Sequence, residues 1–198
     1  MPPLILASVS PRRSQLLRDL GVPFRVAPSE ASEPPPTPDE IENPGAYVEK
    51  LAQLKAQSAE NEAIIIAADT VVVVESGGRN RILGKPRDEA EARAMLAQLR
   101  GRTHRVFTGV CVRSGGDFRV AHQTTRVTFG EFSDDFLAAY VRTGESLDKA
   151  GAYAAQGKGA LLIERIEGDY FNVVGLPLEL LGRMLREFGV EVEAFWAK

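Results

Sequence analysis

The chain has 198 residues, 44% of them hydrophobic, and a formal net charge of -3. This length can bury a full core as one large domain or as two lobes that share a sheet, and the absence of a basic excess argues against duplex nucleic acid or an anionic membrane surface as the main partner. Cys111 is the single cysteine, which excludes a disulfide framework, and it is predicted to be a packing residue. With only two histidines, a Cys/His zinc site is not expected. No apolar run reaches the ~18 residues of a membrane span, so we predict a cytoplasmic protein.

The N-terminal segment predicts a phosphate site. Residues 3–7 (PLILA) read as a strand, and Ser10 and Pro11 are suited to the N-cap and first position of the helix that follows. Arg12 and Arg13 then occupy the first helical turn, where the helix dipole disfavours cations. An anion bound there would offset this, because free N–H groups and two guanidinium groups form a phosphate cradle at the end of a strand. The alternative is that both arginines are solvated surface residues.

A proline-rich segment and a helix follow. Residues 29–44 are rich in proline and carboxylates and are predicted to form a loop, in which Glu30 or Glu33 can face the cradle. The apolar spacing that follows predicts a helix over about residues 45–59, which brings Lys50 and Lys55 toward the next strand. The alternative is that these lysines are surface residues.

The most informative stretch is residues 64–74, IIIAADTVVVV. A nearly continuous run of β-branched residues predicts a strand that is covered on both faces. An ionised carboxylate taken out of water costs several kcal/mol or more unless a metal, a cation or several donors meet it, so Asp69 predicts a partner elsewhere in the chain. The alternative is that Asp69, helped by Thr70, turns the backbone between two shorter strands.

A glycine-rich segment comes later in the chain. Four glycines lie within residues 151–168, next to Lys149 and Gln156. This composition predicts a loop in which the backbone approaches a ligand closely. Alternatively, the glycines serve only turns.

The remaining predicted elements indicate a mixed α/β fold. They are strands at 23–28, 82–83, 103–113, 119–129 and 161–166, and helices at about 88–101, 136–142 and from 177 onward.

Five strings in this sequence together resemble the Maf (septum formation inhibitor) family, in that family's order and at its usual spacing. They are LASVSPRR at 6–13, AADTVV at 67–72, GKP at 84–86, LDKAGAYAAQG at 147–157 and GDYFNVVGLP at 168–177. The resemblance implies one Maf-like α/β domain over residues 1–198, similar to the inosine triphosphate pyrophosphatases, with an elongated mixed sheet flanked by helices and a cleft between two lobes. It also implies cleavage of a nucleoside triphosphate to the monophosphate and pyrophosphate.

The resemblance further implies roles for individual residues. Asp69 is expected to be the catalytic carboxylate. It would act as a base toward water, as a metal ligand, or both. A divalent metal cation, Mg²⁺ or Mn²⁺, is expected to bind Asp69 and Glu33, although the proline-rich segment blurs the register and leaves Glu30 as an alternative. The expected phosphate-binding residues are Ser8, Arg12, Arg13, Lys55, Lys85 and Lys149.

Substrate preference also follows from the resemblance. The branch of the family that acts on dTTP and UTP is similar to this chain in having Thr70 after the aspartate and the pattern AGAYxxQG, which implies that Arg12, Thr70 and Gln156 determine specificity. The Gln156 amide can match the N3–H and a carbonyl of uracil or thymine. The alternatives are a pyrophosphatase for 7-methyl-GTP or another purine nucleotide, and a regulator of cell division that binds nucleotides without turnover. Both a monomer and a homodimer remain open.

Overall fold

A mixed sheet runs through the part of the chain that the computed structural model describes, residues 3–59 and 63–196. Its strands are β1 (Leu4–Leu6), β2 (Arg25–Val26), β3 (Ile64–Ser76), β4 (Arg79–Leu83), β5 (Thr103–Ser114), β6 (Asp117–Phe129) and β7 (Ile163–Glu167). Their order is β2-β1-β3-β5-β6-β7, and β4 pairs with β3. The pairs that β1 makes are parallel and the others are antiparallel. The predicted mixed α/β architecture is confirmed.

Helices flank this sheet on both faces. They are α1 (Pro11–Asp19), α2 (Pro38–Glu42), α3 (Pro44–Gln57), α4 (Glu89–Leu99), α5 (Asp134–Val141), α6 (Tyr170–Val174) and α7 (Leu178–Glu187). Ser10 caps α1 with Pro11 at its first position, as predicted, because the Ser10 hydroxyl accepts from the Arg13 N–H. In the described residues, no helix has both the length and the apolar character that crossing a membrane requires.

The central strand β3 is buried on both faces, as its composition predicts. Its odd-numbered side chains pack against α3, whereas its even-numbered side chains pack against α1, α4, α5 and α7 on the opposite face. Cys111 on β5 packs in the core beside α3, and burial raises the pKa of its thiol to about 12. Its predicted packing role is confirmed.

One edge of β3 is interrupted at its middle. The whole length from Ile64 to Val73 pairs with β5. The opposite edge pairs with β1 at residues 64–66 and with β4 at residues 72–76. Within the described residues, positions 67–71 therefore have no strand partner on that edge, and Asp69 lies at the centre of this gap. The alternative that Asp69 turns the chain between two strands is wrong, since β3 continues through it in register with Gly109.

Two short helices differ from the sequence prediction. Helix α2 lies inside the segment predicted as a loop, because Thr37 and Glu40 form a reciprocal capping box around Pro38. Helix α6 was not predicted; Asp169 caps its start, and Gly175 ends it with a φ of 115°. The second predicted strand shortens to the two residues of β2.

Candidate active site

A cleft of about 570 Å³ opens at the gap in β3. The end of β1, the start of α1, the last turn of α3, the segment after β4 and the glycine-rich segment all contribute to its walls. Every predicted site residue lines it: Ser8, Arg12, Arg13, Glu33, Lys55, Asp69, Thr70, Lys85, Lys149 and Gln156.

Lys55 is the partner of the buried carboxylate in this cleft. Its Nζ lies 2.5 Å from Asp69 Oδ1 and 2.9 Å from Glu33 Oε1. Asp69 is an odd-numbered residue of β3, so its side chain lies on the face that α3 covers, and Lys55 reaches it from the last turn of that helix. Partial burial raises the pKa of Glu33, but the hydrogen bond and charge of Lys55 outweigh this, so that the pKa lies below its usual value.

Arg13 ties three segments of the cleft together. Its guanidinium donates to the backbone oxygen of Gly175 at 2.8 Å, to Ser8 Oγ at 3.2 Å and to Thr70 Oγ1 at 3.1 Å. Burial lowers the pKa of Arg13, an effect that the negative charge of Asp69 opposes. Arg13 thus connects the segment after β1, the middle of β3 and Gly175 at the end of α6, and its positive charge remains in the cleft.

Two further cationic side chains of the cleft, Arg12 and Lys149, form ion pairs with the same carboxylate, Asp148. Arg12 Nη1 lies 3.4 Å from Asp148 Oδ2, and Lys149 Nζ lies 2.5 Å from Asp148 Oδ1. Burial raises the pKa of Asp148, but Lys149 and then Arg12 more than offset this and leave the pKa below its usual value. Lys85 also acts on the cleft, since its charge helps to lower the pKa of Glu33.

The glycine-rich segment is anchored to the end of β4. The Gly151 N–H donates to the Gly84 carbonyl at 3.0 Å, and a Cβ at Gly151 would lie 2.9 Å from the Val72 side chain. Gly151 has a φ of 69°, and the next residue, Ala152, has the unusual value of 64°. The close approach therefore requires glycine, and it places Gln156 on the cleft wall.

The Maf-like protein family matches residues 3–188 of the sequence. The chain belongs to the Maf family. Relatives named dTTP/UTP pyrophosphatase include one from Moorella thermoacetica, 50% identical over 97% of this chain and 98% of the relative. One from Symbiobacterium thermophilum is 48% identical over 97% of both chains, and one from Bacillus cereus is 45% identical over 97% of this chain and 98% of the relative.

This Maf-family chain offers two carboxylates as potential metal ligands. Across residues 3–59 and 63–196, no group of three or more His, Cys, Asp or Glu side chains is arranged to hold a metal ion. Asp69 and Glu33 nevertheless both contact the Lys55 ammonium, so their oxygens converge on one cationic position. Glu30, the alternative to Glu33, is not among the residues that line the cleft.

Of the two lysines that the third helix was expected to bring toward β3, Lys55 lines the cleft and Lys50 does not. The Lys50 Nζ lies 2.8 Å from Glu40 Oε1 on α2, a helix that was not predicted. Lys50 and Lys55 are five positions apart on α3, so they project from different sides of the helix.

The sequence did not predict the residues behind Thr70. Thr108 lies opposite Thr70 in the β3–β5 register, with 2.9 Å between the two hydroxyl oxygens. Asn172 on α6 is fully buried and accepts from Thr108 through its backbone oxygen at 2.9 Å. The only signal for Asn172 was its place in the GDYFNVVGLP string, and Thr108 had none, since its position depends on the register of two distant strands.

Proposed function

We propose that this chain hydrolyses dTTP and UTP to the monophosphate and pyrophosphate. The observation that carries the proposal is the convergence of Asp69 with five cationic side chains at the open edge of β3, beside the start of α1. Relatives at 45–50% identity that are named dTTP/UTP pyrophosphatase support the same assignment.

The cationic wall fits a triphosphate. Arg12, Arg13, Lys85 and Lys149 line the cleft together with the N-terminus of α1, where the positive end of the helix dipole favours phosphate oxygens. Ser8 adds a hydroxyl at the end of β1. Because Asp148, the carboxylate that pairs with both Arg12 and Lys149, is largely exposed, a polyanion can take its place with little loss of hydration energy.

Asp69 is suited to the reaction itself. In this scheme its carboxylate orients a water molecule toward the α-phosphoryl group and accepts the water proton as pyrophosphate leaves. Lys55 holds that carboxylate in place at 2.5 Å and adds positive charge beside the developing negative charge on the phosphate oxygens.

The family relationship suggests a divalent metal requirement, and the Asp69 and Glu33 side chains fit one. Two carboxylates plus substrate phosphates are a usual ligand set for Mg²⁺, and the two side chains converge on a position that a cation already occupies. When bound, Mg²⁺ or Mn²⁺ supplies further charge neutralisation at the phosphate oxygens.

Base selection is assigned to Arg12, Thr70 and Gln156. Gln156 lies on the cleft wall, and its amide offers one acceptor and two donors, which match a carbonyl and the N3–H of uracil or thymine. Cytosine lacks that hydrogen, and a site built on hydrogen bonds discriminates strongly against such a change. The 5-methyl group of thymine contributes at most ~1 to 3 kcal/mol, so dTTP and UTP are expected to be comparable substrates.

The test is a substrate panel with the purified chain and Mg²⁺. Monophosphate and pyrophosphate release should be measured for UTP, dTTP, CTP, ATP, GTP and 7-methyl-GTP. We expect UTP and dTTP to have similar kcat/KM values and the others to be poor substrates. A preference for a purine nucleotide would show that the assigned substrates are wrong. Binding of nucleotides without pyrophosphate release from any of the six would show that the protein is a nucleotide-binding protein and not a pyrophosphatase.

A further inference from the structure

A chain of hydrogen-bonded groups runs from Arg13 through two threonines to the backbone of α6. Arg13 Nη2 donates to Thr70 Oγ1 at 3.1 Å. The Thr70 and Thr108 hydroxyl oxygens are 2.9 Å apart, and Thr108 Oγ1 lies 2.9 Å from the backbone oxygen of Asn172. Thr108 has no exposed surface, so solvent does not replace these partners.

The geometry fixes which group donates in each of these three hydrogen bonds. A carbonyl oxygen only accepts, so Thr108 donates its single hydroxyl hydrogen to Asn172. Thr108 therefore has only lone pairs to offer, and Thr70 donates its own hydrogen to Thr108. If Thr108 donated to Thr70 instead, no hydrogen would lie between Thr108 Oγ1 and the backbone oxygen of Asn172, which are 2.9 Å apart. Since a guanidinium only donates, the contact with Arg13 occupies a lone pair of Thr70.

Thr70 consequently has nothing to donate to the cleft that it lines. A free hydroxyl rotates to donate or accept as its neighbour requires and so distinguishes poorly between ligands. A hydroxyl whose hydrogen is already committed is an acceptor only.

We propose that Thr108 is a positioning residue that makes Thr70 an acceptor toward the cleft and thereby favours nucleobases with an imide N–H over those with a ring lone pair. This inference rests on the proposed function, and it names the feature of the site that separates uracil and thymine from cytosine. The N3–H of uracil or thymine would be shared between Thr70 and the Gln156 amide oxygen, whereas N3 of cytosine would bring its lone pair against the lone pair of Thr70. Binding of a base that leaves a buried polar atom of the site without a hydrogen-bond partner is expected to be about ten- to a hundredfold weaker.

The decisive variant is Thr108→Val, which nearly keeps the volume of the side chain but removes the acceptor that holds the Thr70 hydrogen. Thr70 would then rotate and donate to cytosine. We expect the ratio of kcat/KM for UTP to that for CTP to fall about tenfold or more, with the larger change in CTP. Thr108→Ser, which restores the hydroxyl, should stay within about twofold of the wild-type ratio.

A matched control is available on the same strand. Thr103 at the start of β5 also shares a hydrogen bond of 2.9 Å with a threonine on a neighbouring strand, Thr128, but it lies outside the cleft. Thr103→Val should leave the ratio unchanged. Thermal melting of each variant verifies folding, and Thr108→Ala provides a second hydroxyl-free variant if the valine does not fold.

A double-mutant cycle separates this role from a general structural one. If Thr108 acts through Thr70, adding Thr108→Val to a Thr70→Val protein should not change the UTP to CTP ratio further. A folded Thr108→Val protein with the wild-type ratio overturns the inference and leaves the proposed function standing. A wild type that hydrolyses UTP and CTP equally well overturns the inference together with the proposed base selection, and leaves pyrophosphate release from UTP and dTTP standing. A wild type that releases pyrophosphate from no nucleotide overturns both.

Discussion

At the scale of single residues, the cleft depends on how one buried carboxylate is compensated. Asp69 is only 8% exposed, and its charge is balanced by Lys55, which Glu33 also contacts. The Lys55 ammonium, placed between the two carboxylates, holds them close together. The same arrangement means that a change at any one of the three side chains alters the charge that the other two experience.

Replacing Asp69 by Asn should nearly abolish turnover. The substitution keeps the side-chain volume and an oxygen for Lys55, but it removes the negative charge that accepts a water proton or binds a metal. We expect kcat for UTP with Mg²⁺ to fall by about three orders of magnitude or more, with a melting temperature close to that of the wild type. Half of the wild-type activity in this variant would show that Asp69 is not the catalytic carboxylate.

Glu33 and Glu30 allow a paired test of the metal assignment. Glu33→Gln should weaken Mg²⁺ activation about ten- to a hundredfold, since it removes one charge-assisted contact, whereas Glu30→Gln should change it little. Mg²⁺ titrations of the rate give the midpoint, and Mn²⁺ binding followed by electron paramagnetic resonance reports on the metal without turnover. Equal effects of the two variants would contradict the assignment to Glu33.

At the scale of elements, α3 determines where a cation meets the β3 carboxylate. Its apolar face packs on the odd-numbered face of β3, which carries Asp69, and its last turn ends beside that residue. Gly109 on β5 is central to this packing, because a Cβ there would lie 2.3 Å from the Val48 carbonyl oxygen of α3. The position of the helix, and with it the position of Lys55, depends on a glycine in the strand beneath.

Two lysines of α3 differ in whether they reach the cleft. Lys55→Met should lower kcat/KM for UTP about ten- to a hundredfold, because one charge-assisted contact is lost. Lys50→Met, on the same helix but paired with Glu40 outside the cleft, should stay within about twofold of the wild type. Steady-state kinetics of both variants decide this, and similar losses in the two would mean that the general charge of α3, rather than the position of Lys55, matters.

Gly109→Ala should force α3 away from β5. Overpacking of this kind costs about 1 to 3 kcal/mol, and for a domain of this size each kcal/mol lowers the melting temperature by about 2 to 4 °C. Because Lys55 moves with α3, kcat/KM should fall as well. Gly116→Ala, at a glycine that has no neighbour within 4 Å of the added Cβ, is the control. Equal melting temperatures of the two variants would contradict the tight packing at Gly109.

At the scale of the whole molecule, local patterns in the sequence predicted more than long-range ones. The apolar run of β3 and the Ser10 cap are each determined within a few residues, so they were predicted correctly. The gap in the edge of β3 was not predictable, because it arises from where β1 and β4 stop along a third strand. Thr108 was missed for the same reason, since its neighbour is set by strand register.

Another contact between distant segments, which the sequence also did not predict, is a buried pair of polar rings. His104 on β5 is 2% exposed, and its Nε2 lies 2.8 Å from the hydroxyl of Tyr153 in the glycine-rich segment. Its ring packs edge-on against Phe129, with 4.9 Å between ring centroids. Within the described residues, His104 Nδ1 is buried without a hydrogen-bond partner. Charging this ring in place is therefore unfavourable, and burial lowers the pKa of His104 to about 4.

This pair should make the stability of the whole molecule depend on pH in mildly acidic solution. The unfolded chain binds a proton at His104 near pH 6.5, while the folded protein does so only near pH 4, so the free energy of unfolding falls as the pH drops through this window. The slope from this one group approaches about 1.4 kcal/mol per pH unit. Urea denaturation at pH 7, 6 and 5 should show this loss in the wild type and a smaller loss in His104→Phe. Parallel pH curves for the wild type and His104→Phe would show that His104 is not the group responsible.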